Sequence, residues 1–128
     1  MDINIIKECN RLAADGKITF PEVVEKFMAA GIERYHIDFV WGSNIYYWPN
    51  GDVHVEPAHK FNVAENLDKQ KIAATVAEIQ QGKINYTQFV EKITTAGCSH
   101  YYAALTGKRV IYSGRNGDSH TEFFPGSK

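Results

Sequence analysis

Gly16-Lys17-Ile18-Thr19-Phe20-Pro21-Glu22-Val23-Val24-Glu25-Lys26 returns sixty-six positions later as Gly82-Lys83-Ile84-Asn85-Tyr86-Thr87-Gln88-Phe89-Val90-Glu91-Lys92. Working outward, the same offset carries Ala30-Gly31 onto Ala96-Gly97, Tyr35 onto Tyr101, and Ile45-Tyr46 onto Ile111-Tyr112. It also carries Asn50-Gly51-Asp52 onto Asn116-Gly117-Asp118, His54 onto His120 and Glu56 onto Glu122. The offset never drifts. A constant register over most of a chain is the signature of one supersecondary unit used twice.

Each unit reads as two helices and three strands. Ile3, Ile6, Cys9, Leu12 and Ala13 lie near one helical face, as do Ile72, Val76 and Ile79 in the copy. Thr19 with Glu22 fits a capping box, and Asn85 with Gln88 is its polar variant. Behind these caps run the apolar stripes Phe20, Val23, Val24, Phe27, Ala30 and Tyr86, Phe89, Val90, Ile93, Ala96, which Gly31 and Gly97 terminate. Strands are expected over residues 35–41, 45–48 and 53–56, and over 101–106, 110–113 and 119–123. Asn-Gly at 50–51 and 116–117 is read as a two-residue hairpin turn. That register puts Tyr35, Ile37 and Phe39 beside Tyr46, Trp48, Val53 and Val55, on the side the helices cover. It leaves His36, Asp38, Tyr47, His54 and Glu56 on the far side, with Tyr102, Ala104, Ser113, His120 and Glu122 in the copy. A slip of one residue would exchange the two sides.

The expected fold is therefore α+β: an internal duplication of a helix-helix-three-strand (ααβββ) unit about an approximate two-fold axis. The strands form one antiparallel sheet, or two small ones meeting at a seam, with the helices on one face. A length of 128 residues suits one domain over 1–128, built from repeats at about 1–60 and 66–128. Half that length is near the lower limit for an independent core, so a shared core is expected.

A formal charge of −1 with dispersed Lys and Arg gives no electrostatic footprint for nucleic acid. The N-terminal segment carries Asp2 and Glu8 and no long apolar run, so neither a signal peptide nor a membrane span is expected. Cys9 and Cys98 fall at unmatched repeat positions and read as packing residues, consistent with a reducing cytoplasm.

Residues 15–22 resemble the second half of an EF-hand loop, with Gly16 at position six and Glu22 at twelve. Positions one and three fall on Arg11 and Ala13, which supply no carboxylate, so calcium is not expected. His54-x-Glu56 and His120-x-Glu122 each put an imidazole and a carboxylate on one side of a strand; brought together by a two-fold, they would suit zinc. The bland alternative is a set of solvated or strand-pairing residues. His36, Asp38, Tyr47 and His54 form a second candidate cluster, for acid–base chemistry, present only in the first unit. No nucleophile elbow, phosphate loop or Cys–His motif accompanies it, and no cofactor is implied.

The segment Arg34-Tyr35-His36-Ile37-Asp38, with the later Gly51-Asp52-Val53-His54, resembles the DUF1398 family. That family comprises small bacterial and prophage-associated proteins, some of them labelled phage envelope proteins, and the resemblance covers most of the chain. It implies no activity and assigns no catalytic residue. The expected function is a small cytoplasmic binding or interaction module, a homodimer or small-molecule binder, working through the sheet face away from the helices. The alternative is a small enzyme or metal protein using the His, Asp, Glu and Tyr residues named above.

Overall fold

The structure, a computed structural model, describes residues 2–126. Its elements run α1 (Ile3–Ala14), α2 (Phe20–Ala29), β1 (Arg34–Asp38), β2 (Ser43–Tyr47), β3 (Val53–Pro57), α3 (Lys69–Gln80), α4 (Tyr86–Thr95), β4 (Cys98–Ala104), β5 (Arg109–Gly114) and β6 (Ser119–Phe123). The fold is α+β, with four helices and a six-stranded antiparallel sheet in the order β3-β2-β1-β4-β5-β6. β1 and β4 meet at the centre, where His36 pairs with Tyr102.

The helix starts are chemical. Thr19 accepts from the Glu22 amide while the Glu22 carboxylate takes the Thr19 amide, and Asn85 and Gln88 exchange the same pair of bonds. Asp2 and Asp68 cap α1 and α3. Each cap satisfies donors that would otherwise have no partner inside the helix.

Every helix packs on the same side of the sheet. Phe27 of α2 stands edge-on to Tyr35 and Tyr46, at ring-centroid distances of 5.4 and 5.7 Å. Phe89 of α4 meets Tyr112, and the Tyr86 and Tyr101 hydroxyls share a 2.8 Å hydrogen bond. Ile6 and Cys9 of α1 and Ile72 and Val76 of α3 complete one continuous core. The tyrosines bring hydroxyls into that core, and burial pushes the Tyr35, Tyr86, Tyr101 and Tyr112 pKa values up, so they stay neutral.

The outer hairpins correct the expected register. Tyr46 faces His54 and Tyr47 faces Val53; in the other hairpin Tyr112 faces His120 and Val110 faces Glu122. The loop has three residues, not two. Trp48 N–H donates to Asp52 O at 3.0 Å, and Gly51 N–H donates back to Trp48 O at 3.1 Å. Only the glycine is left-handed, at φ +94, whereas the two-residue turn needs positive φ at both central positions. Gly114, Gly117 and Asp118 repeat this arrangement. The extra residue moves His54, Glu56, His120 and Glu122 to the helix side and turns Val53 and Val55 outward. The first strand, expected over 35–41, is shorter too. β1 ends at Asp38, whose carboxylate accepts from the Val40 and Trp41 amides, and Trp41 sits in the turn at 72% exposure.

No helix among the described residues is long and apolar enough to cross a membrane.

Candidate functional site on the open sheet face

The side of the sheet without helices is a grid of three rows. The central row runs Val55, Ile45, His36, Tyr102, Ile111, Thr121 from β3 to β6. One flanking row is Val53, Tyr47, Arg34, Ala104, Arg109, Phe123. The other is Pro57, Ser43, Asp38, His100, Ser113, Ser119. Val53 and Val55 on one edge strand are 46% and 54% exposed, and Phe123 on the opposite edge is 41% exposed.

Polar chemistry gathers at the β1–β4 seam. The Arg34 guanidinium lies 3.9 Å above the Tyr47 ring centroid, a close cation–π contact. Its Nη1 donates to the Tyr102 hydroxyl at 2.8 Å and its Nε to Glu33 at 3.3 Å. The bond to Tyr102 is the main reason the Arg34 pKa lies above the ordinary arginine value. His36 is half-buried between Tyr102 and His100, whose ring stands edge-on at 5.2 Å. Burial, then the neighbouring His100, pulls the His36 pKa below its ordinary value, and Asp38 partly offsets them. His100 Nδ1 bonds the Ser99 hydroxyl at 2.9 Å, and that hydroxyl also donates to Ser113 O at 3.2 Å. Ser99 is held there by a bulge in β4 between Cys98 and His100.

Of the acid–base candidates, His36, Asp38 and Tyr47 share this face. His54 does not: it lies through the sheet, stacked on Tyr46, with its Nε2 3.5 Å from Glu56. Lys7 of α1 reaches Glu56 at 3.7 Å. His120 and Glu122 contact each other likewise on β6. The zinc set is not brought together, because His54 and Glu56 sit on one edge strand and His120 and Glu122 on the other. Five strand spacings separate them, about 24 Å. Among the described residues no three His, Cys, Asp or Glu side chains gather for a metal ion. Each pair has a structural reading instead. A carboxylate pointing inward on an edge strand deters pairing with another sheet.

Arg34 and His100 were not singled out from the sequence as site residues. The alternation of β1 and β4 around His36 and Tyr102 was the available signal. Cys9 and Cys98 are both free and buried, and burial pushes the Cys98 thiol up to about 12, so neither is a poised nucleophile. An open groove of about 530 Å³ at the start of α3, lined by Asn66, Leu67, Asp68 and Ala96 among others, lies away from this face.

Comparison with known families places the chain. The family described as a protein of unknown function, DUF1398, matches residues 50–121. The chain belongs to the DUF1398 family. The match takes in β3, α3, α4, β4 and β5 and reaches into β6; the Arg34–Asp38 part of the resemblance seen in the sequence falls before it. A search of curated proteins finds no match. Within this DUF1398 chain the matched span holds His100 and Tyr102, while Arg34, His36 and Tyr47 are supplied from outside it.

Proposed function

We propose that this DUF1398 protein is a small binding module whose working surface is the open face of the sheet. One observation carries the reading: a whole side of the sheet has no helix on it, yet bears an ordered Arg34–Tyr47–Tyr102–His36 cluster between exposed Val53, Val55 and Phe123. Such a mixture of aromatic and arginine anchors with an apolar surround is the make-up of recognition surfaces.

We also read the two halves as tandem copies about a two-fold axis passing between His36 and Tyr102, which pair across the seam and stand sixty-six positions apart. In that reading the helix side keeps its residues: Tyr35 and Tyr101, Tyr46 and Tyr112, His54 and His120, Glu56 and Glu122. On the open side Ile45 returns as Ile111, but the seam cluster does not repeat: Arg34 matches His100, His36 matches Tyr102, Asp38 matches Ala104 and Tyr47 matches Ser113. Divergence of the seam cluster between the halves supports one working site rather than two. Both cysteines being free accords with a cytoplasmic setting.

A thermal-shift screen against a ligand library tests the proposal. A ligand at one hundred times its Kd adds about 2.7 kcal/mol, which raises Tm by several degrees. Hits are expected to vanish in Tyr47→Ala and Ile111→Glu. Hits that survive both changes would move the binding surface elsewhere. A homodimer through this face is read separately by light scattering, where a monomer at high concentration removes it. A site built from His36, Asp38, Tyr47 and His54 lacks comparable support, because the sheet stands between His54 and the others.

A further inference from the structure

We propose that Asn116, in the loop between β5 and β6, is a site of spontaneous covalent modification: in the folded protein it converts to aspartate and isoaspartate, ahead of its repeat counterpart Asn50. The proposal is independent of the open face and stands on the two loops that carry Asn-Gly.

The reaction needs a side-chain amide followed by an unhindered main-chain nitrogen. Asn50 and Asn116 precede glycine, and every other asparagine precedes a residue whose side chain crowds that nitrogen. Solvent hydroxide removes the Gly117 amide proton, and the nitrogen attacks Asn116 Cγ. The N–Cγ bond forms, the Cγ–Nδ2 bond breaks, and ammonia leaves with a proton returned by water. The five-membered ring then takes up water, at one carbonyl to give aspartate and at the other to give isoaspartate. Water is the only co-reactant. Both loops are exposed, and nothing lies within 4 Å of where a Cβ would stand on Gly51 or Gly117, so solvent reaches the reacting atoms.

Each loop holds those atoms in bonds that must first break. Gly117 N–H donates to Gly114 O at 3.2 Å, and Asn116 Oδ1 accepts from the Asp118 N–H at 3.0 Å. Gly51 donates to Trp48 O at 3.1 Å, and Asn50 Oδ1 accepts from the Asp52 N–H at 3.0 Å. Ring closure requires the glycine amide to be released and the asparagine side chain to turn toward it. The rate therefore follows how often each loop opens.

Two restraints on Asn50 are missing at Asn116. Pro49 is the second residue of the turn closed by the Gly51 bond, where its ring presets the φ the turn requires. Arg115 stands there in the other loop. Its Nη1 reaches Val63 O at 3.3 Å, a bond at the end of a long exposed side chain that leaves the main chain unfixed. Asn50 Nδ2 also donates to Asp52 Oδ2 at 3.1 Å, which pins the amide and keeps Cγ less electrophilic. Asp118 holds Asn116 through its main-chain N–H instead. The loop of the second half therefore opens more readily and reacts first.

Conversion has two consequences. It adds one negative charge to a chain of formal charge −1. Isoaspartate also routes the main chain through the former side chain, adding a methylene to the loop that sets which way β6 faces.

The test is to incubate the purified full chain at mildly alkaline pH, folded and in guanidinium, and to follow both sites by peptide mass spectrometry. Each conversion adds one mass unit, and electron-transfer fragmentation separates isoaspartate from aspartate. In the folded protein Asn116 is expected to convert several-fold faster than Asn50, with isoaspartate among its products. In guanidinium, where neither loop persists, the two rates should come together. Arg115→Pro is expected to slow Asn116 several-fold in the folded state, and Asp52→Ala to speed Asn50, with circular dichroism confirming that each variant folds. Equal rates in the folded protein, or Asn50 reacting first, would overturn the proposal without recourse to any variant. So would an Asn116 that converts in guanidinium but not in the folded chain, or an Arg115→Pro variant that folds and reacts at the original rate.

Discussion

His36 is where residue chemistry and stability meet. Its pKa is depressed in the fold, so the unfolded chain binds its proton first on acidification. The neutral imidazole contributes fully above its ordinary pKa, and that contribution is lost as pH falls through the ordinary value toward the lower folded one. Urea midpoints measured between pH 7.5 and 5 are expected to fall on acidification, and to fall less in His36→Gln. An equal fall in both would assign the pH dependence to other groups. Phe27, 1% exposed and edge-on to two tyrosines, marks the other extreme. Phe27→Ala is expected to cost about 3–5 kcal/mol in urea unfolding, the range for aromatic deletion from a packed interior. A loss under 1 kcal/mol would mean the core closes around the space.

At the scale of elements, local chemistry decides the helices and loop geometry decides the strands. Both capping boxes were legible from four residues each, because the side chains that form them are neighbours in sequence. The stripes on α2 and α4 were legible for the same reason, and so were the faces of β1, β2, β4 and β5. The faces of β3 and β6 were not. Asn-Gly fits two loop lengths, and only the hydrogen bond from Gly51 to Trp48 reveals the longer one. One loop residue moved His54 through the sheet and dissolved the four-residue catalytic set, while the zinc set failed on topology, its halves lying on opposite edges. Arg34 escaped notice because its importance lies in a bond to Tyr102, sixty-eight positions away. Gly97 supplies a test of geometry at this scale. It holds φ +94, and a Cβ there would stand 2.1 Å from Asn66 O, in the segment leading to α3. Gly97→Ala combines backbone strain with a clash against main chain, so a loss of more than about 2 kcal/mol is expected in thermal or urea unfolding. Gly82→Ala, with positive φ but open space around it, should cost less.

For the molecule as a whole, one core spans both halves and the β1–β4 seam runs through its middle. Unfolding is therefore expected as one transition. Tryptophan fluorescence, from Trp41 and Trp48, should report the first half, where Trp48 Nε1 donates to Ala30 O at 3.0 Å, and amide NMR signals of β4, β5 and β6 the second. Coincident midpoints are the expected result, and separated ones would show that the halves melt independently.

The sheet ends in two uncovered strands, and each turns a glutamate inward beneath a helix. With Glu56 and Glu122 both changed to valine, that protection disappears from both rims at once. Each molecule would then offer two adhesive borders, and stored protein would lengthen into ribbons that stain with thioflavin while every subunit kept its native circular dichroism.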